Sequence, residues 1–330
     1  MTETVTNPIA AVKKQLKELA ARPFKATYKV PALWVETGCQ PEDGKAAVAV
    51  HPGEFYLKHI EAIEKHARND IDPLKSLNQQ LPGGDGGNWV NREAIYNIFV
   101  RLTAAYDHNG DGKLGGGKND LTLNADGMRE SGTFLKAIAM LGYIKALGCS
   151  TIHLLPVTAI GHDGNKGELG SPYAIRNPYK LEETQADPLL SLGVEDQFRA
   201  FIQACHMLGI RVICEFVFRT ASKDSDWIAE PPDWFYWIDE KIADRTPGET
   251  DLKKAAAHYG NPIFTAEELK VINAKVTAGD LNELPPPHAD YRSFFKLPPA
   301  AASVKFNEKK QYRAEATDPE TRKKCTARIP

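Results

Sequence analysis

The sequence predicts an α/β fold: an incomplete (β/α)8 barrel made of its first three βα units, with an N-terminal extension and an irregular C-terminal excursion. Three observations predict it. Apolar, β-rich runs recur at residues 94–100, 151–157 and 211–218. Stretches of helical periodicity lie between them, at 132–148 and 193–209. The joints from helix to strand take two or three residues, whereas the loops from strand to helix take about thirty. Continuous rather than alternating apolar runs suit parallel strands covered on both faces. Long loops confined to one end of the strands place a site at the strand C-termini. That is the habit of barrels, although a doubly wound sheet would put its site at the same end.

Each element follows from its own residues. The N-terminus, MTETVTNPIAAVKKQLKELAARPF, reads as a short amphipathic helix; it lacks the basic start and apolar stretch of a signal peptide. The glycine cluster PGGDGGN is followed by no Gly-Lys-Ser/Thr and reads as a linker ahead of the first strand. In GTFLKAIAMLGYIKALG, Phe134, Ile138, Leu141, Ile144 and Leu147 recur at intervals of three and four, and Gly148 supplies a stop. In GVEDQFRAFIQACHMLG the stripe is Val194, Phe198, Phe201, Ile202, Cys205 and Leu208, stopped by Gly209. After residue 220 the regularity ends. SDWIAEPPDWFYWI is aromatic and broken by proline, TAEELKVINAKV reads as one helix, and the last stretch is charged without an apolar period. The expected divisions are an extension over 1–90, the barrel portion over 91–220 and the excursion over 221–330. A whole barrel takes about 250 residues, so 221–330 cannot supply five further βα units and the chain reads as cut short.

Composition excludes several classes of function. The 330 residues are 42% apolar and a quarter charged, with a formal net charge of −2 and both signs mixed throughout. Nucleic acid and anionic membrane surfaces both demand a clustered basic face, which is absent. No apolar run approaches the roughly 18 residues of a spanning helix. The five cysteines form no CxxC pair, and Cys149, Cys205 and Cys214 lie in apolar runs. Free thiols and a cytoplasmic protein are the expectation.

The runs IYNIFVRLTAAYDHNGDG, LGYIKALGCSTIHLLPV and GVEDQFRAFIQACHMLGIRVICEFVFRTAS together resemble the α-amylase family of glycoside hydrolases. Within that family VPALW, GTFLK, SPYAIRNP, ACHMLGIRV and DSDWI…PDWFYWI are similar to bacterial maltosyltransferases, over roughly residues 20–245. The resemblance implies a partner, α-1,4-glucans or maltooligosaccharides, and maltosyl transfer or glucan hydrolysis as the reaction. It implies that Tyr173, in Ser171-Pro172-Tyr173, is the tyrosine that stacks on the sugar. The family's third-strand Asp, Asn and His fall on Glu215, Arg219 and Thr220, so the usual hydrolase pattern is broken there. The family's catalytic carboxylates lie after its fourth, fifth and seventh strands. No catalytic residue is therefore assigned in this chain, and it is expected to be inactive alone.

The remaining candidate residues also suit plainer roles. Arg219 suits a clamp on sugar hydroxyls or on a catalytic carboxylate, or else a salt bridge to a loop acid. Glu215 is expected within a strand among apolar neighbours, as a buried hydrogen-bonding residue; an acid/base role in some other chemistry is the alternative. Trp234, Phe235, Tyr236 and Trp237 are expected to bury a subdomain rather than line a sugar groove. The stretch DHNGDG has oxygen ligands at alternate positions, yet it follows a strand, and Lys118 stands where an EF-hand needs its glutamate. The family resemblance implies a structural calcium on Asp107, Asn109 and Asp111. The further acid expected there falls on Gly115, unless Asp120 swings in. A calcium loop and a polar turn without metal both stay open. Exposed edges of a three-stranded parallel sheet predict self-association. A glucan-binding remnant without turnover is the alternative to an enzyme portion.

Overall fold

The computed structural model describes residues 7–31, 47–69, 90–91, 93–116, 122–162, 170–243, 264–286, 292–307 and 311–330. The glycine cluster at 82–88, Cys39, Lys118 and Asp120 lie outside them. The chain divides into two compact units, one of residues 1–160 and 165–220, the other of 161–164 and 221–330.

In the first unit, the helix Pro8–Ala20 starts at Asn7, whose side chain accepts from the Ala10 N–H, with a proline in the first turn. Ile9, Val12 and Leu16 form its buried stripe. A short antiparallel pair follows, β1 (Lys29–Pro31) with β2 (Ala47–Ala49), and then the helix Pro52–Asn69. Strands β3 (Ile95–Ile98) and β4 (Thr151–Leu154) pair in parallel, with the helix Phe134–Ala146 between them in sequence. The loop after β4 carries an antiparallel pair that the apolar pattern did not reveal, β5 (Thr158–Ile160) with β6 (Ile175–Leu181). The helix Val194–Met207 leads to β7 (Arg211–Cys214), which pairs in parallel with β4. The sheet order is β3-β4-β7, three strands with two open edges among the described residues.

Helical stripes form the core of this unit. Phe134, Ile138, Leu141 and Ile144 from one helix, and Val194, Phe201, Cys205 and Leu208 from the next, are buried in one cluster with Ile98, Ile152 and Leu154. Phe134 lies 5.0 Å from Phe198 and 6.1 Å from Phe201 between ring centroids. A buried polar knot ties the two helix entries together. Thr133 caps the first helix and donates its hydroxyl to Asp187 Oδ2 at 2.8 Å. The Asp187 N–H donates to Gln197 Oε1 at 2.8 Å, and Gln197 Nε2 returns to the carbonyls of Asp187 and Leu192. Satisfied in this way, buried polar groups favour one arrangement instead of weakening the core. Gly132 permits the approach of the chain before that cap: a Cβ there would lie 1.7 Å from the Val100 carbonyl oxygen.

The strands are shorter than the apolar runs, for reasons visible in the ladder. Pro156 has no N–H to continue β4. Glu215 N–H donates to the Leu154 carbonyl at 3.0 Å, and beyond it β4 offers β7 no further residue to pair with. The chain leaves the sheet there, so Phe216 and Phe218 are exposed rather than buried. Ile95 on the edge strand β3 is also half exposed, against the expectation of a strand covered on both faces.

The second unit corrects the expectation of an irregular excursion. It holds a five-stranded antiparallel sheet in the order β10-β11-β12-β8-β9, where β8 is Trp237–Asp239, β9 Phe295–Lys296, β10 Lys305–Phe306, β11 Tyr312–Thr317 and β12 Lys324–Arg328. Its inward residues are Ala314, Ala316 and Ala327 around Trp237 and Ile228. Alanines alternating with charged residues carry too little hydrophobicity to register as a strand period. Trp237 is buried and donates Nε1–H to the Pro232 carbonyl at 2.8 Å. Trp234 and Tyr236 point outward, so only part of the aromatic run packs the unit. The helix Ala266–Thr277 is present with a capping box of Thr265 and Glu268.

Candidate functional site

The C-terminal ends of β3, β4 and β7 bring together residues that the apolar runs contain as isolated polar positions. Asn97 and His153 are direct partners in the parallel register, and Glu215 lies two residues beyond Ile213, the partner of His153 on β7. Asn97 Nδ2 is 2.9 Å from His153 Nδ1. The amide nitrogen is the donor and Nδ1 the acceptor, which leaves Nε2 on the far side of the ring. That nitrogen faces Glu215 Oε2 at 3.8 Å. The phenol of Tyr173, which comes from the loop after β4, lies near enough to Glu215 to feel its charge. Desolvation first, and then the Glu215 hydrogen bond and charge, raise the pKa of Tyr173. Thr220 Oγ1 donates to the Tyr173 carbonyl at 3.3 Å, tying this loop to the chain after β7.

The result is a polar strip, Asn97–His153–Glu215–Tyr173, across the open mouth of three strands. Glu215 is 28% exposed on its side chain, so the buried glutamate expected from its apolar neighbours is not what forms. Its neighbours turn outward once the strand ends. Tyr173 is 42% exposed, with its phenol beside Glu215. Arg219 is exposed and makes no hydrogen bond or ion pair with another described residue. The structure thus joins Tyr173 to Glu215 and leaves Arg219 apart. Asn97 and His153 were legible only as lone polar residues in apolar strands.

The Asp107 loop lies after β3, with its side chains folded into the loop. Asp107 Oδ1 accepts the N–H groups of Gly110 and Asp111 at 2.6 and 3.2 Å, and Oδ2 accepts that of Gly112 at 2.8 Å. Asn109 Oδ1 accepts the Asp111 N–H, Asn109 Nδ2 donates to Asp111 Oδ2, and Asp111 Oδ1 accepts the Lys113 N–H. Beneath them is Glu130, fully buried, which sequence reasoning missed. Its Oε1 accepts from His108 N at 2.9 Å, Asn109 N at 3.1 Å and Asn124 Nδ2 at 2.8 Å, and its Oε2 accepts from Gly115 N at 2.8 Å. No spacing rule marks an acid fifteen residues beyond Gly115. His108 is buried between them, stacked on Tyr28 at 4.0 Å, with Nδ1 2.7 Å from the Lys29 carbonyl. Burial, then the Lys136 charge, lowers its pKa to about 3, so the ring is neutral and Nδ1–H is the donor to that carbonyl.

Residues 106–262 match the family model of the alpha amylase catalytic domain. The resemblance to the alpha-amylase family is established over this stretch. The alpha-amylase-like stretch contains β4, β7, Tyr173 and Glu215. The chain is 33% identical over 185 residues to an alpha-1,4-glucan:maltose-1-phosphate maltosyltransferase of Bifidobacterium animalis subsp. lactis, covering 50% of this chain and 23% of that protein. It is 29% identical over 165 residues to the protein of the same description from Mycolicibacterium smegmatis, covering 45% of this chain and 20% of that one. The chain therefore spans about a fifth of the length of these relatives. Among solved structures, an alpha-amylase from Lactobacillus plantarum is 28% identical, covering 47% of this chain and 28% of its own, with a TM-score of 0.32. The alpha-amylase catalytic domain belongs to a (β/α)8 barrel family; no closed barrel is present among the described residues.

Proposed function

We propose that this chain supplies the first three βα units of an α-glucan-active, maltosyltransferase-like enzyme of the alpha-amylase family, and that it is inactive by itself. The supporting observation is that β4, β7 and Tyr173 lie inside the alpha-amylase-like stretch and converge with Asn97 and His153 at the strand C-termini. A retaining transfer needs two carboxyl groups about 5–5.5 Å apart. The strip has one, Glu215, and that carboxylate lies beside Tyr173 and 3.8 Å from His153 Nε2. Its role is to position the phenol. The free face of the Tyr173 ring suits the C–H side of a pyranose in an α-1,4-glucan, and the exposed Arg219 suits its hydroxyls. The open edges at β3 and β7 favour self-association of the chain.

Titration with maltoheptaose, followed by calorimetry, tests this. Tyr173→Ala should weaken binding at least about tenfold, the value of one lost stacking contact near 1.4 kcal/mol. Unchanged affinity would remove Tyr173 from the site. Glycosyl transfer by the purified chain would overturn the claim of inactivity. A second reading, a glucan-binding protein without turnover, is favoured by the same lone carboxylate. Activity gained on adding a polypeptide that carries the later strands of the family barrel separates the two.

A further inference from the structure

Calcium takes six to eight oxygen ligands in a roomy shell. The side chains of the Asp107 loop are turned into hydrogen bonds within the loop. Both oxygens of Asp107 accept loop N–H groups, and Asn109 Nδ2 donates to Asp111 Oδ2. At the position where a further acid would stand, Gly115 has no side chain, and its N–H is held by Glu130. The Lys29 side chain also lies against the loop: a Cβ on Gly110 would be 1.9 Å from Lys29 Nζ. A divalent cation placed there would meet the positive charge of Lys29. Among the described residues, the donor set does not fit calcium.

We infer that Glu130 takes the place of the cation, and that residues 107–115 form a metal-independent loop closed from beneath by one buried carboxylate. A cation would gather the loop from inside through oxygens. Glu130 gathers it from outside through N–H groups at both ends, His108 and Asn109 at the start and Gly115 at the finish. Asn124 braces the same carboxylate, and its Oδ1 accepts the N–H groups of Asp126 and Met128, so the anchor is itself held. This inference stands independently of any activity on glucans.

Thermal melting of the full chain by circular dichroism, in calcium and in EDTA, tests it. At about 10 mM calcium even a weak built site, with Kd of roughly 1 mM, would raise Tm by at least about 2 °C. The expected result is the same Tm in both buffers, and no saturable heat in a calcium titration. A calcium-dependent rise would overturn the inference. Glu130→Gln replaces one acceptor oxygen with a donor facing N–H groups and should lower Tm by several degrees; wild-type melting in that variant would equally overturn it. Should Glu130→Gln fail to fold, Asn124→Ala removes one contact to the carboxylate along with those to Asp126 and Met128 and should lower Tm without response to calcium, whereas a Tm that calcium restores would overturn the inference.

Discussion

His59 offers a test of the packing between the helices of the first unit. It lies on the helix Pro52–Asn69, is 7% exposed, and meets the Phe55 ring edge-on at 4.7 Å. Burial lowers its pKa from 6.5 to about 4. Between those values the unfolded chain binds a proton that the folded chain refuses, so stability falls as the pH falls. The difference of 6.5 and about 4 corresponds to about 3 kcal/mol over the whole window, at about 1.4 kcal/mol per unit. From pH 6.5 to pH 5 the share is about 2 kcal/mol. Urea unfolding at fixed protein concentration, followed by tryptophan fluorescence at a series of pH values, measures it. His59→Leu removes the titration and keeps an apolar side chain in the space. Contributions from other groups, His108 included, are common to both proteins and cancel in the difference. The wild type should lose about 2 kcal/mol more than His59→Leu on going from pH 6.5 to pH 5. Parallel stability curves would show that His59 is accessible to protons in the folded state, and would refute the reasoning.

Two further substitutions probe the entry to the helix Phe134–Ala146. Gly132→Ala places a methyl group 1.7 Å from the Val100 carbonyl oxygen; the required shift should cost about 1–3 kcal/mol in urea unfolding. Thr133→Val loses both the cap to Lys136 N–H and the hydroxyl bond to Asp187, and should destabilise by about 1–3 kcal/mol. Thr133→Ser, which keeps both bonds, should recover most of that loss by the same measurement.

How far each feature can be read depends on whether its cause is local. The helices at 134–146 and 194–207 were legible because their stripes are built from large apolar residues, and because Gly148 and Gly209 take the left-handed conformation that stops them. The five-stranded sheet of the second unit was not, since its inward positions are alanines between charged residues. The site divides along the same line. Tyr173 stood out through a short motif within a family pattern, whereas its tie to Glu215 depends on a loop returning across the strand ends.

By itself the sequence determined the N-terminal helix, the helices at 134–146 and 194–207 and the three strands of the parallel sheet, the parallel sense of that sheet, and the likeness to the alpha-amylase family. Periodicity, glycine stops and loop lengths are local properties and survive in one dimension. Only the tertiary structure decided where β7 ends, because that is set by the last residue β4 offers as a partner. Only it placed Glu130 under the Asp107 loop, because hydrogen-bond partners distant in sequence are chosen by folding. For the same reason it alone joined Asn97, His153, Glu215 and Tyr173, which three strands and a loop carry to one edge.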